Sequence, residues 1–179
     1  MLQGKLRTRL VGLTKMKHFA PFSVRKTLAE GLFNNSLVYC LPLFGGLDYG
    51  DLRDLQVMQN KAAQVVTLSP PRAERTPMYD RLGWLTVTQL IFYHSVLAIF
   101  KMRSSKEPEY LANVLVNDSR NGRIIIPNKD IRLTQNSFTM RGAESWNSLP
   151  EDMRKCPKLS NFKKLVKVWI SKNVPRFLE

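Results

Sequence analysis

Apolar residues recur at helical spacing in one segment after another, and proline closes most of the segments. Such a chain can fold only into short helices packed on one another. Leu6, Leu10, Leu13 and Met16 or Lys17 share a stripe that predicts an amphipathic helix over 3–18, ended by Pro21. Ser23 is the expected N-cap of a second helix with Val24, Leu28 and Leu32 inward, closed after Tyr39 and Cys40 by Pro42 and Gly45-Gly46. Leu52, Leu55, Met58 or Gln59, Ala62 and Val65-Val66 keep the period across 51–67. These three helices can share one core. Residues 69–76, polar and carrying Pro70-Pro71, are the expected linker.

Beyond it, Thr76 before Pro77 opens a short helical turn that Gly83 ends, and Thr86 with Gln89 forms a capping box for a longer helix reaching about Arg103. Val87, Leu90, Ile91, Val96, Leu97 and Phe100 make that helix apolar on most sides, the expected spine of the second half. Ile124-Ile125-Ile126 and Ile131 to Leu133, around the turn Pro127-Asn128-Lys129-Asp130, predict a small β-hairpin near 123–133 or a surface loop. Ser137 caps a helix through Trp146, which Leu149-Pro150 ends, and Ser160 caps a last one. There Phe162, Leu165, Val166, Trp169 and Ile170 form the packed stripe, and the lysines lie elsewhere. The expectation is a mainly α fold, with domains at 1–68 and 77–179.

Charge is distributed unevenly along this frame. Residues 1–26 carry seven Lys/Arg and no acid, 154–178 carry eight and no acid, and 27–153 carry thirteen of each, so the net +14 resides at the two ends. Cations segregated in acid-free segments build local potentials that draw a polyanion. The 44% hydrophobic content argues against a solvated tail and for a packed core. Cys40 and Cys156, far apart and without Cys or His neighbours at ligand spacing, read as reduced or buried thiols. With no signal core at the N-terminus and no apolar run of bilayer length, an intracellular protein without a membrane span is expected, nuclear or cytoplasmic.

Catalytic signatures are missing. There is no G-x-S-x-G, P-loop or G-x-G-x-x-G, and His18 and His94 stand without ligand partners. Asp48, Asp51 and Asp54 at helix-start spacing suit capping and the macrodipole better than a metal. Glu151-Asp152 follow Pro150, where a helix start explains them. No enzyme, metal or cofactor is expected.

Several stretches, taken together, resemble one family. Asn35-Ser36-Leu37-Val38-Tyr39-Cys40, Leu55-Gln56-Val57-Met58-Gln59-Asn60-Lys61-Ala62-Ala63, Leu82-Gly83-Trp84-Leu85-Thr86-Val87, Ser137-Phe138 through Trp146-Asn147-Ser148-Leu149-Pro150, and Asn161-Phe162-Lys163-Lys164 follow the order seen downstream of the polymerase core in non-LTR (LINE-type) retrotransposon reverse transcriptases. The resemblance implies that residues 1–68 are similar to the helical thumb and the rest to the C-terminal extension. It also implies that the fingers and the palm with its catalytic Asp pair would lie before Met1. Gln64, where related sequences often have a basic residue, and Phe44, where Trp is common, depart from the pattern.

A thumb grips nucleic acid by the sugar-phosphate backbone, where Lys and Arg displace counterions. Lys5, Arg7, Arg9, Lys15, Lys17, Arg25 and Lys26 form the first candidate patch, Lys163, Lys164 and Lys167 the second. Solvated helix faces are the plain alternative. Trp84 and Trp146 are expected in the core rather than stacked on bases. The functional expectation is a non-catalytic RNA- or DNA-binding module. Its rival is a helical interaction module that binds a protein partner or a second copy through apolar surface.

Overall fold

In the computed structural model, which describes residues 2–39, 49–105, 117–118, 121–125 and 138–176, the periodic segments are helical and the fold is mainly α. The elements are α1 (Leu2–Met16), α2 (Phe22–Leu28), a π-helical stretch (Ala29–Asn34), α3 (Asn35–Val38), α4 (Tyr49–Thr67), α5 (Arg75–Leu82) and α6 (Val87–Ser105), followed by strands β1 (Asn117–Asp118) and β2 (Arg123–Ile124), then α7 (Phe138–Asn147), α8 (Glu151–Arg154) and α9 (Leu159–Asn173). Two units form. Among the described residues the first takes 2–39, 49–88 and 176, and the second takes 89–105, 117–118, 121–125 and 138–175.

In the first unit α4 is the hub on which α1, α2 and α5 pack. Leu6 and Leu13 of α1 are buried, a heptad apart, whereas Met16 at the end of the expected stripe is exposed. The second helix turns a different face inward from the one its periodicity suggests. Leu28 packs half-buried against the core as expected, but Val24 and Leu32 are exposed, and Arg25, Ala29, Phe33 and Leu37 are buried instead. Those four are spaced by four residues, and an α-helix overshoots a full turn by about 40° over four residues. The wider π-helical turns of Ala29–Asn34 absorb that drift and hold the four side chains on one line. The helix also starts earlier than expected, directly after Pro21, whose fixed φ of −65° suits the entry; Ser23 lies inside the first turn.

Leu13, Ala29, Ala63, Val66, Met78, Tyr79 and Leu82 form one cluster of the first unit's core, with Ala73 and Trp84 packed against it. Residues 69–76 therefore do not separate two bodies. Because Ala73 and α5 supply apolar side chains to the same core as α1 and α4, the first unit extends to Thr88. Gly83 ends α5 as expected, in the left-handed conformation at φ 67°, with its N–H bonded to Asp80 O and that of Trp84 to Tyr79 O. Leu68 ends α4 in the same manner at φ 55°, the Ser69 N–H reaching Gln64 O.

The second unit is organised on α6. Tyr93, Val96, Leu97, Ile99, Phe100 and Met102 are buried along it, as a spine requires. Phe162 of α9 stacks on Phe100 at 4.6 Å between centroids and touches the Trp146 ring at 5.6 Å, while Trp169, half-buried, stacks on Phe92 at 5.3 Å. A Cβ on Gly142 would stand 3.2 Å from Ile99 Cδ1, so the absent side chain lets α7 lie close against α6. Arg75–Ser105 has the length and hydropathy of a membrane span, with half of its apolar window buried. The break at Gly83 and the buried Gln89 and Ser95 are features of a core helix.

β1 and β2 pair antiparallel, Asn117 with Ile124 and Asp118 with Arg123. The hairpin expected near 123–133 thus has its first strand in place but pairs it upstream. The turn Pro127–Asp130 and residues 131–133 lie outside the described residues, as does Ser137. Asn147 holds β2 as a further strand would, donating to Ile124 O at 2.8 Å and accepting from Ile124 N at 2.9 Å. Gly122 O accepts from Trp146 Nε1 at 2.9 Å and from Arg103 Nη1 at 2.8 Å. The last helix begins after Lys158, one residue before the expected cap Ser160 is reached in the first turn.

A buried polar knot ties α5 and the residues after it to α4. Gln56 Nε2 donates to Tyr79 Oη at 2.7 Å and to Asn60 Oδ1 at 2.9 Å, and the phenol donates toward Asn60 Oδ1 at 2.9 Å or Gln59 Oε1 at 3.1 Å. Gln59 Nε2 then holds Leu85 O, and Gln56 Oε1 accepts the Val87 N–H, both at 2.9 Å.

Burial raises the Tyr79 phenol well above the usual tyrosine range. Unfolded tyrosine ionises near pH 10, so above that the unfolded chain releases a proton that the folded one retains, and stability falls by up to about 1.4 kcal/mol per pH unit for this group. Tyr93, also raised by burial, adds with the same sign. Tyr79→Phe should lose about 1–3 kcal/mol at neutral pH and decline less steeply above pH 10. Denaturant titrations across that range check this, and parallel profiles for the two proteins would contradict it.

Candidate nucleic-acid interface

The cations of α1 divide between flanks. Lys5, Arg7 and Lys15 are exposed, and no ion pair is formed by any of them among the described residues. Lys5 and Arg9, four apart, share the flank toward the π-helical stretch, where Arg9 Nη1 donates to Leu32 O at 2.6 Å. Half-buried Lys17 lies on the other flank with Leu10 and Thr14, facing α4 across a cleft. Arg7, a heptad before Thr14, belongs to that side. Lys15 points outward between them.

Arg25, expected from the sequence to be an exposed contact residue, is buried instead. Only 8% exposed, it donates from Nε to Val66 O at 2.9 Å and from Nη1 to Ala20 O at 2.5 Å and Lys17 O at 3.3 Å. The guanidinium thereby satisfies carbonyls at the C-terminal ends of α4 and α1, where the helix dipoles favour a cation. A fork of rigid donors can reach three acceptors from one buried position, which a solvated cation has no reason to do. Lys26 is half-buried and lies 3.9 Å from Glu30 one turn on, so part of its charge is compensated locally.

The C-terminal segment repeats the pattern. Arg154, 7% exposed, donates from Nε to Asn121 O at 3.2 Å and from Nη1 to Asn147 O at 3.2 Å and to Leu149 O. Lys163, Lys164 and Lys167 of α9 are all exposed. Lys163 and Lys167, four apart, share a flank, and Lys167 Nζ stands 5.8 Å from the Tyr93 centroid. Burial and then the Lys101 and Lys163 ammonium groups lower the half-buried His94 below the usual histidine range, which places Lys101 in the same basic neighbourhood. Lys164, three residues before Lys167, borders this pair on the helix surface. Trp146 is buried and Trp84 half-buried, its Nε1 donating to Glu30 Oε1 at 3.1 Å, so both pack as expected.

Two open clefts, of about 790 and 420 Å³, run along α4 in the first unit. They share Lys61, Gln64 and Pro71. Gln64 Nε2 donates to Pro71 O at 2.9 Å, so the position where the resembled family often has a basic residue here ties the 69–76 segment to the helix. Sequence reasoning missed Lys61 and Arg72 because both fall in the charge-balanced middle of the chain. Only the packing of α1 and of 69–76 on α4 brings Lys61 into one cleft with Lys17 and into the other with Arg72. Among the described residues no three His, Cys, Asp or Glu side chains gather where they could hold a metal ion. Asp51, one of the helix-start acids, accepts from Gln3 Nε2 at 3.1 Å, and Asp48 and Cys40 lie outside the described residues.

Arg25→Gln should destabilise the first unit by about 2–3 kcal/mol, the range for hydrogen bonds to a charged group, and leave the affinity of the folded protein for nucleic acid unchanged. Lys15→Gln should change stability by less than about 0.5 kcal/mol. Urea titrations with binding measured well below each midpoint separate the two roles. The chain matches no family model, no curated protein and no solved structure.

Proposed function

We propose that this chain is a non-catalytic, helical nucleic-acid-binding module that holds RNA or DNA by the sugar-phosphate backbone, derived from the thumb and C-terminal extension of a LINE-type reverse transcriptase. The observation that carries the reading is α1. Its exposed Lys5, Arg7 and Lys15 stand on a segment without a single acid, and a cation with no local carboxylate partner gains most by displacing counterions from a polyanion. The exposed Lys163, Lys164 and Lys167 of α9 provide a second set. Contacts of this kind position a strand without reading its bases.

The alternative, a protein-interaction module, draws on Phe19 and Tyr39, which are 90% and 75% exposed. The two readings differ in their response to salt, since apolar association does not release counterions.

With four to six phosphates engaged, log K should fall against log salt with a slope of roughly −3 to −5, and sequence preference should be slight. Replacing Lys5, Arg7 and Lys15 together by Gln should flatten the slope by about 2–3 and shift the unfolding midpoint little. Fluorescence anisotropy over a salt series measures both. Salt-independent affinity, or an unchanged slope in the triple variant, would overturn backbone binding through α1.

A further inference from the structure

The double cleft along α4 deepens the proposed function and rests on it, because it distinguishes one form of nucleic acid from another. Its two parts meet at Lys61, with Lys17 and His18 lining the smaller and Arg72 and Arg75 lining the larger. Glu74 is the one carboxylate among the lining residues. Apolar surface lies between the charges: Leu68 is 52% exposed and Val57 41%, and the Pro71 ring belongs to both parts. Leu68 reaches this position because it ends α4 in the left-handed conformation, one that a branched aliphatic side chain adopts only at a cost of about 1–2 kcal/mol.

Shape decides what such a surface accepts. A duplex presents its phosphates on the outside of a stiff convex cylinder with the bases turned inward, so it meets exposed helices such as α1 but does not enter a cleft. An unpaired strand bends freely, and its bases turn out from the backbone. Each part of the cleft falls in the size range of small-molecule sites, which suits a nucleotide or two. Lys61 stands between the parts, where a phosphate linking the two would pass.

We propose that the cleft along α4 seats a single strand of nucleic acid, with Lys61 and Arg72 on consecutive stretches of its backbone and Leu68 and Pro71 against a base. α1 meets paired and unpaired strands alike, whereas the cleft takes only the unpaired one. Because the apolar contacts are aliphatic, the cleft holds any base.

The test compares a labelled oligothymidylate of roughly 12 nucleotides with a hairpin duplex of equal charge, each bound to the full chain at about 50 mM salt, where phosphate contacts are strong. Lys61→Gln with Arg72→Gln should weaken the single strand about fivefold or more and flatten its salt slope by about 1.4, two phosphates at roughly 0.7 each, while changing the hairpin less than about twofold. Thr76→Trp, at an exposed lining position, should weaken the single strand by filling the cleft, with its slope unchanged. Arg53→Gln, at an exposed position of the same helix that does not line the cleft, should alter neither. Thermal melts of all variants establish that each is folded. If the double variant weakens both ligands equally, or Arg53→Gln weakens the single strand as much, the cleft is only diffuse positive charge and this proposal falls while backbone binding stands. If the unaltered chain binds neither ligand, the proposed function falls and the cleft with it.

Discussion

The phenol of Tyr79, buried among Gln56, Gln59 and Asn60, is the contact on which the first unit depends. Three amides and a hydroxyl removed from water are tolerable only when nearly every donor and acceptor is used, and here each is placed within bonding distance of another. The knot also captures Leu85 O and the Val87 N–H, so the segment between α5 and α6 is fixed by direction-specific bonds as well as by the packing of Trp84 and Val87. Removing the hydroxyl would loosen α5 from α4, and with α5 would go Met78 and Leu82 of the core. The run Leu55 to Ala63, one of the stretches on which the family resemblance rests, supplies these amides. Its three amide side chains face inward and hold the fold, while Lys61 stays exposed.

Charge plays two parts in this chain, and only burial separates them. Arg25 and Arg154 each use a guanidinium to close carbonyls left open where helices and turns end, and the bidentate fork makes one side chain serve several acceptors. Such a cation is withdrawn from any ligand. Lys5, Arg7, Lys15 and the three lysines of α9 keep their ammonium or guanidinium groups in water, where attraction to a polyanion is long-ranged and screened by salt. A count of basic residues therefore overstates the positive charge offered to solvent at both ends of the chain. It understates it in the middle, since Lys61 and Arg72 belong to a stretch whose charges sum to zero, yet Lys61 lines both clefts along α4, joined by Lys17 in the smaller and by Arg72 in the larger.

The helical class, the termination of α5 at Gly83, the burial of Trp146 and the spine role of α6 were legible in the sequence, because each follows from local rules: apolar period, the left-handed tolerance of glycine, and the size of an apolar ring. The inward face of the second helix was not. Of the apolar residues Val24, Leu28 and Leu32 only Leu28 packs against the core, because the arginine that closes two helix ends is inside, and π-helical turns bring Arg25, Ala29, Phe33 and Leu37 into line. No periodicity rule anticipates a buried cation at the head of an apolar stripe. The extent of the first unit escaped for a related reason, since the polar, proline-rich composition of 69–76 describes a turn and a linker equally well until Ala73 is seen against the core.

What the sequence by itself determined is where charge resides along the chain and which segments are helices, since net charge is a sum and helix formation depends on neighbours three and four apart. Which cations face water, which are spent on backbone carbonyls, and which meet across a cleft were decided only by tertiary structure. Those outcomes turn on partners such as Val66 O for Arg25, forty-one residues away along the chain, and on α1 and residues 69–76 converging on α4.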